Sequence, residues 1–403
     1  MSAAASIDTD LEAFRAEARK WIEANFPPSL KNANALSFME GFGSKDPDFL
    51  KWKKAMGEKG WGVPTWPAEW GGGGQSKAQA RVLQQELGRA GAFNPIGGMG
   101  TAMFGPTLLE YGNDAQKKQH MPGIVNGTIR WCQGYSEPGA GSDLASLRTQ
   151  AIDKGDHFLV NGQKIWTSGA QYADWCFCLV RTDITKKHEG ISFLLIDMKS
   201  PGVETRPIKL ISGNSPFCET FFTDVKVPKE NLMGPLNGGW TVGKRLLQFE
   251  RDGQGGNMRG ASFRGADTRT VDELAKTYIG ADARGRIAEG DLRARVADHN
   301  MSIAAMRLTL QRMQDDARSN QGPSAVTSIM KNANVKVNQE RAELMMEIMG
   351  FQGLGWEGDS YDAHELDATR NWLSGKAQSI YGGSNEIQNN IIAKRILGLL
   401  DHQ

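Results

Sequence analysis

His157-Phe158-Leu159-Val160-Asn161-Gly162-Gln163-Lys164-Ile165-Trp166 is the stretch whose reading decides the fold. Its apolar residues come in short runs rather than at the helical interval, and Asn161-Gly162 between two runs is a two-residue hairpin signal. The same texture spreads outward, from about Thr128 to Val227. Residues 175–180, 191–196 and Phe221-Phe222 are short apolar runs bounded by turn residues. Cys176-Phe177-Cys178 reads as a strand with both thiols on one face. This block is expected to be a β domain.

On either side the helical period returns. Leu11, Phe14, Ala18, Trp21 and Ile22 recur every three to four residues, and Pro27-Pro28 stops that helix. Residues 47–59, 78–90 and 115–126 follow the same pattern. After Pro235, the residues Val326, Ile329, Met330, Ala333, Val337, Leu344, Met345, Ile348 and Met349 form one stripe. A last helix is expected over about 384–400, and the Gly- and Arg-rich stretch 252–290 reads as less regular. The expectation is an α+β chain of three domains: helical 1–128, β 129–235, and a helical bundle 236–403.

Composition removes several classes of function. Across 403 residues, 47 basic side chains face 46 acidic ones, for a net charge of +1. A general nucleic-acid binder needs a basic excess to displace counterions. No apolar run approaches the ~20 residues that cross a bilayer. The opening residues lack the basic and apolar regions of a secretory signal, so a cytoplasmic globular protein is expected. The four cysteines form no C-x-x-C pair and the six histidines are scattered, which argues against a zinc site or a disulfide framework. Chemistry must then come from carboxylates, hydroxyls, backbone groups or a borrowed cofactor.

Four motifs bear on that chemistry. Gly353-Leu354-Gly355-Trp356-Glu357-Gly358 matches G-x-G-x-x-G but follows a helical pattern, so it reads as a helix stop. No P-loop string occurs. Ser136-Glu137-Pro138-Gly139-Ala140-Gly141-Ser142-Asp143 sets hydroxyls around a Gly-rich turn whose N–H groups can converge on an anion; taken alone, an ordinary turn explains it as well. Trp166-Thr167-Ser168 at a strand end can cover a flat ring and bond its edge, although a lone Trp is more often core. Gly382-Gly383-Ser384-Asn385-Glu386 opens the last helix with a tight turn and an N-cap, a place for a nucleotide or simply a capped helix.

Glu250 is the most informative single residue. In the helical pattern 239–251 it lies between Leu246 and Leu247 on the wheel, inside the apolar stripe with Val242 and Phe249. A carboxylate there is costly unless paired or functional, and burial raises its pKa toward that of a useful base. A Glu held by an Arg elsewhere in the core fits the same position.

Together these strings resemble the acyl-CoA dehydrogenase family of flavoenzymes over almost the whole chain. The resemblance rests on Gly60-Trp61-Gly62-Val63-Pro64 with its Gly-rich loop, on Glu86-Leu87-Gly88-Arg89-Ala90, on residues 136–143 and 164–169, and on Ile380-Tyr381-Gly382-Gly383-Ser384-Asn385-Glu386-Ile387-Gln388. It implies that family's fold: an N-terminal helical domain, a middle β-barrel or sandwich, and a C-terminal four-helix bundle. It implies FAD, with Trp166 near the flavin ring, Thr167 and Ser168 at its reactive edge, and Gln133, Ser136, Gly141 and Ser142 along the flavin and pyrophosphate. Gly382, Ser384 and Glu386 would lie near the FAD of the same or a neighbouring subunit. The implied reaction is α,β-desaturation of an acyl-CoA, contacted at Ser142, Arg251, Tyr381 and Gly382. The thioester oxygen would be held by a flavin hydroxyl and an N–H of the Tyr381-Gly382 turn. Electrons would pass to an electron-transferring flavoprotein.

Two departures qualify the resemblance. Many members carry the base directly after the Tyr of the I-Y-x-G string, where this chain has Gly382. A minority, including enzymes for branched, long or bulky acyl groups, carry it where Glu250 stands, with Arg251 beside it to orient the carboxylate. Glu386 is a minor rival, better suited to the helix dipole. Secondly, the family's Arg followed closely by Phe-Gly is missing from 252–290, where Ser262-Phe263-Arg264-Gly265 stands instead. Some bacterial relatives are two-plus-two heterotetramers with an incomplete flavin site in one subunit type. The expectation is therefore a catalytic homodimer or homotetramer, or one subunit of an α2β2 assembly that completes a paralogue's FAD site. An oxidase on the same fold is a third possibility.

Overall fold

The computed structural model describes residues 3–33, 44–257, 269–318 and 326–400; for 3–9, 250–257, 314–318, 326 and 327 it describes the backbone alone. The chain divides into two compact units, residues 1–208 with 215–257, and residues 209–214 with 258–403.

The first unit opens with helices α1 (Ala3–Asn25), α2 (Pro47–Glu58), α3 (Lys77–Ala90), α4 (Gly105–Tyr111) and α5 (Asp114–Val125). Asp46 caps α2, while Ser76 and Asn113 form capping boxes with Gln79 and Gln116, satisfying N–H groups that each helix start leaves unbonded. Phe14, Ala18 and Ile22 of the predicted stripe pack with Trp52, Trp61 and Leu83 in one core.

Seven strands follow: β1 (Trp131–Gly134), β2 (Gln150–Asp153), β3 (His157–Ser168), β4 (Trp175–Arg181), β5 (Ile191–Asp197), β6 (Val203–Ile208) and β7 (Phe217–Pro228). They form one sheet in the order β1-β4-β2-β3-β7-β6, with β5 on β4. Both faces of β4 and β5 are buried. Phe177, Leu179, Phe193 and Leu195 meet the helices, in one cluster with Phe104, Val242 and Leu246. Cys176, Cys178, Val180, Leu194 and Ile196 turn inward onto Phe158, Val160, Phe222 and Val225, so the sheet curls around an interior of its own. All four cysteines are buried and free.

One expectation fails here. Asn161-Gly162 is not a hairpin turn: β3 runs straight through it, with a bulge between Val160 and Gly162 where it pairs with β7. The glycine is needed because a Cβ at 162 would meet Thr149 Cα at 2.6 Å. The true hairpin joins β2 to β3 one segment earlier, where Lys154 N–H donates to the His157 carbonyl at 2.9 Å and Gly155 takes φ 94°.

Helix α6 (Gly239–Asn257) closes the first unit and packs on β5 and α4. It extends past Asp252, into the stretch expected to be irregular; residues 258–268 lie outside the described ones.

The second unit holds α7 (Val271–Tyr278), α8 (Gly290–Arg318), α9 (Val326–Met349), α10 (Ala363–Gly375) and α11 (Asn385–Arg395). Helix α9 packs against all four others. Of its predicted stripe, Met330, Val337, Leu344, Ile348 and Met349 are buried, whereas Ile329 is exposed and Val335 is buried instead. Residues 350–354 form a 3-10 turn after α9, so the G-x-G-x-x-G string is a helix stop.

Candidate active site

Strand β1 carries Gln133, half-buried, and leads into the turn 135–143. Glu137 and Ala140 exchange backbone hydrogen bonds at 3.0 Å, closing the turn. Ser136 is half-buried; Gly141 and Ser142 are exposed, and a Cβ at Gly139 or Gly141 would meet nothing within 4 Å. The hydroxyl-bearing rim is therefore open.

Behind that rim lies a buried ion pair. Lys164 is 0% exposed, and its Nζ donates to Glu137 Oε1 at 2.7 Å and to the Tyr135 carbonyl at 3.1 Å. Glu137 also accepts the N–H groups of Arg148 (2.6 Å) and Thr149 (2.9 Å). Burial works to raise the Glu137 pKa, but Lys164 and these donors outweigh it and hold the carboxyl below its usual range. Sequence reasoning passed over both residues. Neither has a local signal, since Glu137 lies in a polar turn and Lys164 follows Asn161-Gly162-Gln163; only the folded sheet brings them together.

Two residues beyond Lys164, Trp166 has φ 59° and is 52% exposed, its ring edge-on to Phe217 at 6.1 Å. A bulky side chain in left-handed backbone costs about 1–3 kcal/mol and marks a place the surroundings over-determine. Thr167 is fully buried, and its Oγ1 has no hydrogen-bond partner among the described residues; Ser168 is half-buried.

Along α6, Val242 and Leu246 are 1% and 0% exposed, and position 250 follows them at the same four-residue interval. The side chains of Glu250 and Arg251 lie outside the described residues.

In the second unit, Gly382 and Gly383 take φ 65° and 84° before Ser384, whose hydroxyl caps α11 by accepting from Ile387 N–H. Gln388 Nε2 donates to the Gly382 carbonyl at 3.0 Å, and a Cβ at Gly383 would come within 2.7 Å of that nitrogen. Tyr381 is half-exposed and its N–H donates to the Ala377 carbonyl, leaving the N–H groups of the glycine turn as the candidate donors. Glu386 is exposed. Its backbone N–H, the Ser384 hydroxyl and Lys331 hold its pKa low, which suits a charge on the helix dipole rather than a base.

The donor set of the first unit suits a flat, hydrogen-bonding ring with an anionic tail: one outward indole, the hydroxyls of Ser136, Ser168 and Ser142, and an open glycine turn; the Thr167 hydroxyl, fully buried, is not on that face. In the second unit a capped helix start behind two left-handed glycines suits a phosphate. No group of three or more His, Cys, Asp or Glu suited to a metal occurs among the described residues.

The chain matches the acyl-CoA dehydrogenase N-terminal domain over residues 8–128, the middle domain over 132–225 and the C-terminal domain over 237–397. It is 35% identical to acyl-CoA dehydrogenase IpdE1 of Mycolicibacterium smegmatis, over 97% of this chain and 98% of the relative. The chain belongs to the acyl-CoA dehydrogenase family. It is thus an FAD-dependent oxidoreductase with that family's order of helical, β and helical domains. Among solved structures, the Tcur3481-Tcur3483 steroid acyl-CoA dehydrogenase aligns at 30% identity and a TM-score of 0.74, covering 98% of both chains. The ChsE4-ChsE5 complex from Mycobacterium tuberculosis aligns at 30% identity and a TM-score of 0.71, again over 98% of both. No described helix is long and apolar enough to cross a membrane.

Proposed function

We propose that the protein desaturates an acyl-CoA thioester between its α and β carbons, with Glu250 as the base. The carrying observation is the register of α6: position 250 continues the line of buried Val242 and Leu246, while the alternative base position holds Gly382. Glu250 takes the α proton, and Arg251 orients its carboxylate. Bound FAD supplies the acceptor for the hydride leaving the β carbon. Trp166 would cover one face of the flavin, Ser168 would bond its edge, and Gln133, Ser136, Gly141 and Ser142 would line the ring and pyrophosphate, while the buried Thr167 supports this strand from the other face. An N–H of the Tyr381-Gly382 turn steadies the charge that grows on the thioester oxygen. Ser384 and the start of α11 face the phosphates of an FAD.

A glycine at 382 leaves room for a bulky, branched or long acyl group. The steroid acyl-CoA dehydrogenase among the structural relatives points toward the bulky end of that range. Electrons would leave to an electron-transferring flavoprotein. The experiment is anaerobic flavin reduction by a panel of acyl-CoAs, wild type against Glu250→Gln. A loss of ~10²-fold or more is expected, and equal rates would remove Glu250 as the base.

A second reading is favoured by the two heteromeric relatives: this chain as one subunit of an α2β2 assembly. Colour separates the readings. A complete enzyme purifies yellow alone, whereas a subunit with an incomplete site becomes yellow only when coexpressed with its partner.

A further inference from the structure

Something must impose the left-handed backbone of Trp166, and the sheet register locates it. Lys164 pairs with Thr220 and Thr167 with Cys218, so three steps along β3 answer two along β7. The extra residue is absorbed at Ile165-Trp166, as in a β-bulge. Both flanks are pinned. After the bulge, Ser168 pairs with Phe217 and Gly169 N–H donates to the Pro216 carbonyl at 2.9 Å. Before it, Ile165 N–H donates to the Ser136 carbonyl at 2.9 Å, and Lys164 is tied to Glu137 and Tyr135.

We infer that the buried Lys164–Glu137 pair is a positioning device: it fixes the strand ahead of the bulge, so that the surplus length turns Trp166 into left-handed backbone and sets its indole outward. A buried ion pair is a poor source of net stability, because desolvation offsets its attraction. Its use here is conformational. Glu137 binds the N–H groups of Arg148 and Thr149 while its neighbour Ser136 holds Ile165, so one carboxylate sets both the glycine turn and the Trp166 strand. The consequence for FAD rests on the proposal that Trp166 covers the flavin; the backbone claim does not.

The test compares Trp166→Gly with Trp166→Ala in two backgrounds, by urea unfolding of the purified protein. With the pair intact, glycine tolerates the left-handed backbone and alanine does not, so the Gly variant should be favoured ~5-fold or more in its folding equilibrium. With Glu137→Gln/Lys164→Met the backbone is free to relax, and the ratio should fall to about one or below. An unchanged ratio overturns the inference. Should the double variant not fold, Glu137→Asp shortens one partner by a methylene; the ratio should then drop part-way, and no drop again overturns it. FAD retention, followed by visible absorbance, gives a separate reading. A falling ratio with at least ~10-fold weaker flavin binding supports both claims. A falling ratio with unchanged flavin binding supports the positioning device and removes Trp166 from the flavin wall.

Discussion

Arg19 Nε donates to Glu86 Oε2 at 3.0 Å, fastening α1 to α3 through a carboxylate that is 3% exposed. Arg89 and Arg15 bind the same carboxylate at 2.8 and 3.2 Å. The Arg19 hydrogen bond leads the shift; burial opposes it, Arg89 and Arg15 add to it, and the pKa falls from 4.5 to about 2. A folded pKa below the unfolded one contributes stability that is complete above pH 4.5 and is lost as pH falls toward 2. At ~1.4 kcal/mol per pH unit this corresponds to about 3–4 kcal/mol before screening, which the half-exposed Arg19 and Arg89 reduce. Glu86→Gln should unfold at lower urea at pH 7 and lack that part of the acid slope. Parallel wild-type and variant curves across the acid range would contradict this.

His120 sits in an aromatic box, with ring centroids 5.0 Å from Trp131 and 4.7 Å from Trp175. Neither ring nitrogen has a hydrogen-bond partner among the described residues. Burial lowers its pKa from 6.5 to about 4. The unfolded chain therefore takes up this proton at higher pH than the folded one. Stability should drop as pH falls from 6.5 toward 4 and level off below. His120→Phe should fold with equal or greater stability at pH 7 and flatten that interval. A steeper slope in the variant would refute the assignment.

Arg181 is 8% exposed, and its guanidinium donates to four carbonyls: Ala145 and Leu147 on one loop, Lys186 and Lys187 on the other. Arg181→Met removes every donor at once, and a loss of about 2–4 kcal/mol is expected from the stranded acceptors. Amide exchange should accelerate in 145–148 and 183–190 while β4 and β5 stay protected. Uniform acceleration would point to global destabilisation instead.

Several helices were legible because stripes and caps are local, as with Phe14-Ala18-Ile22 along α1 and Ser384 ahead of α11, but the last helix ends at Arg395 rather than near 400, and α4 and α8 gave no such signal. Helix α7 carried the same signal in Thr270 and Glu273, a capping box inside a stretch that looked irregular by its glycines and arginines. The β block was legible as texture, but its register was not. Asn161-Gly162 has the composition of a turn, yet a bulge and the approach of Thr149 explain the glycine, and neither can be seen without β2 and β7 in place. The motif strings at 136–143, 164–169 and 380–388 pointed to the family. The Glu137–Lys164 pair behind two of them escaped notice because residues 27 apart meet only once the sheet has formed.

The curled sheet also settles how this enzyme meets an oxidising cell. Cys132, Cys176, Cys178 and Cys218 all lie inside it; the Cys132 thiol pushes Cys176 up, and burial pushes Cys178 up. Peroxide and glutathione disulfide act on thiolates at accessible sulfur, and the four buried cysteines offer them none. Sulfur chemistry is thereby reserved for the damaged chain: glutathionylation or crosslinking of these residues reports a protein that has already come apart.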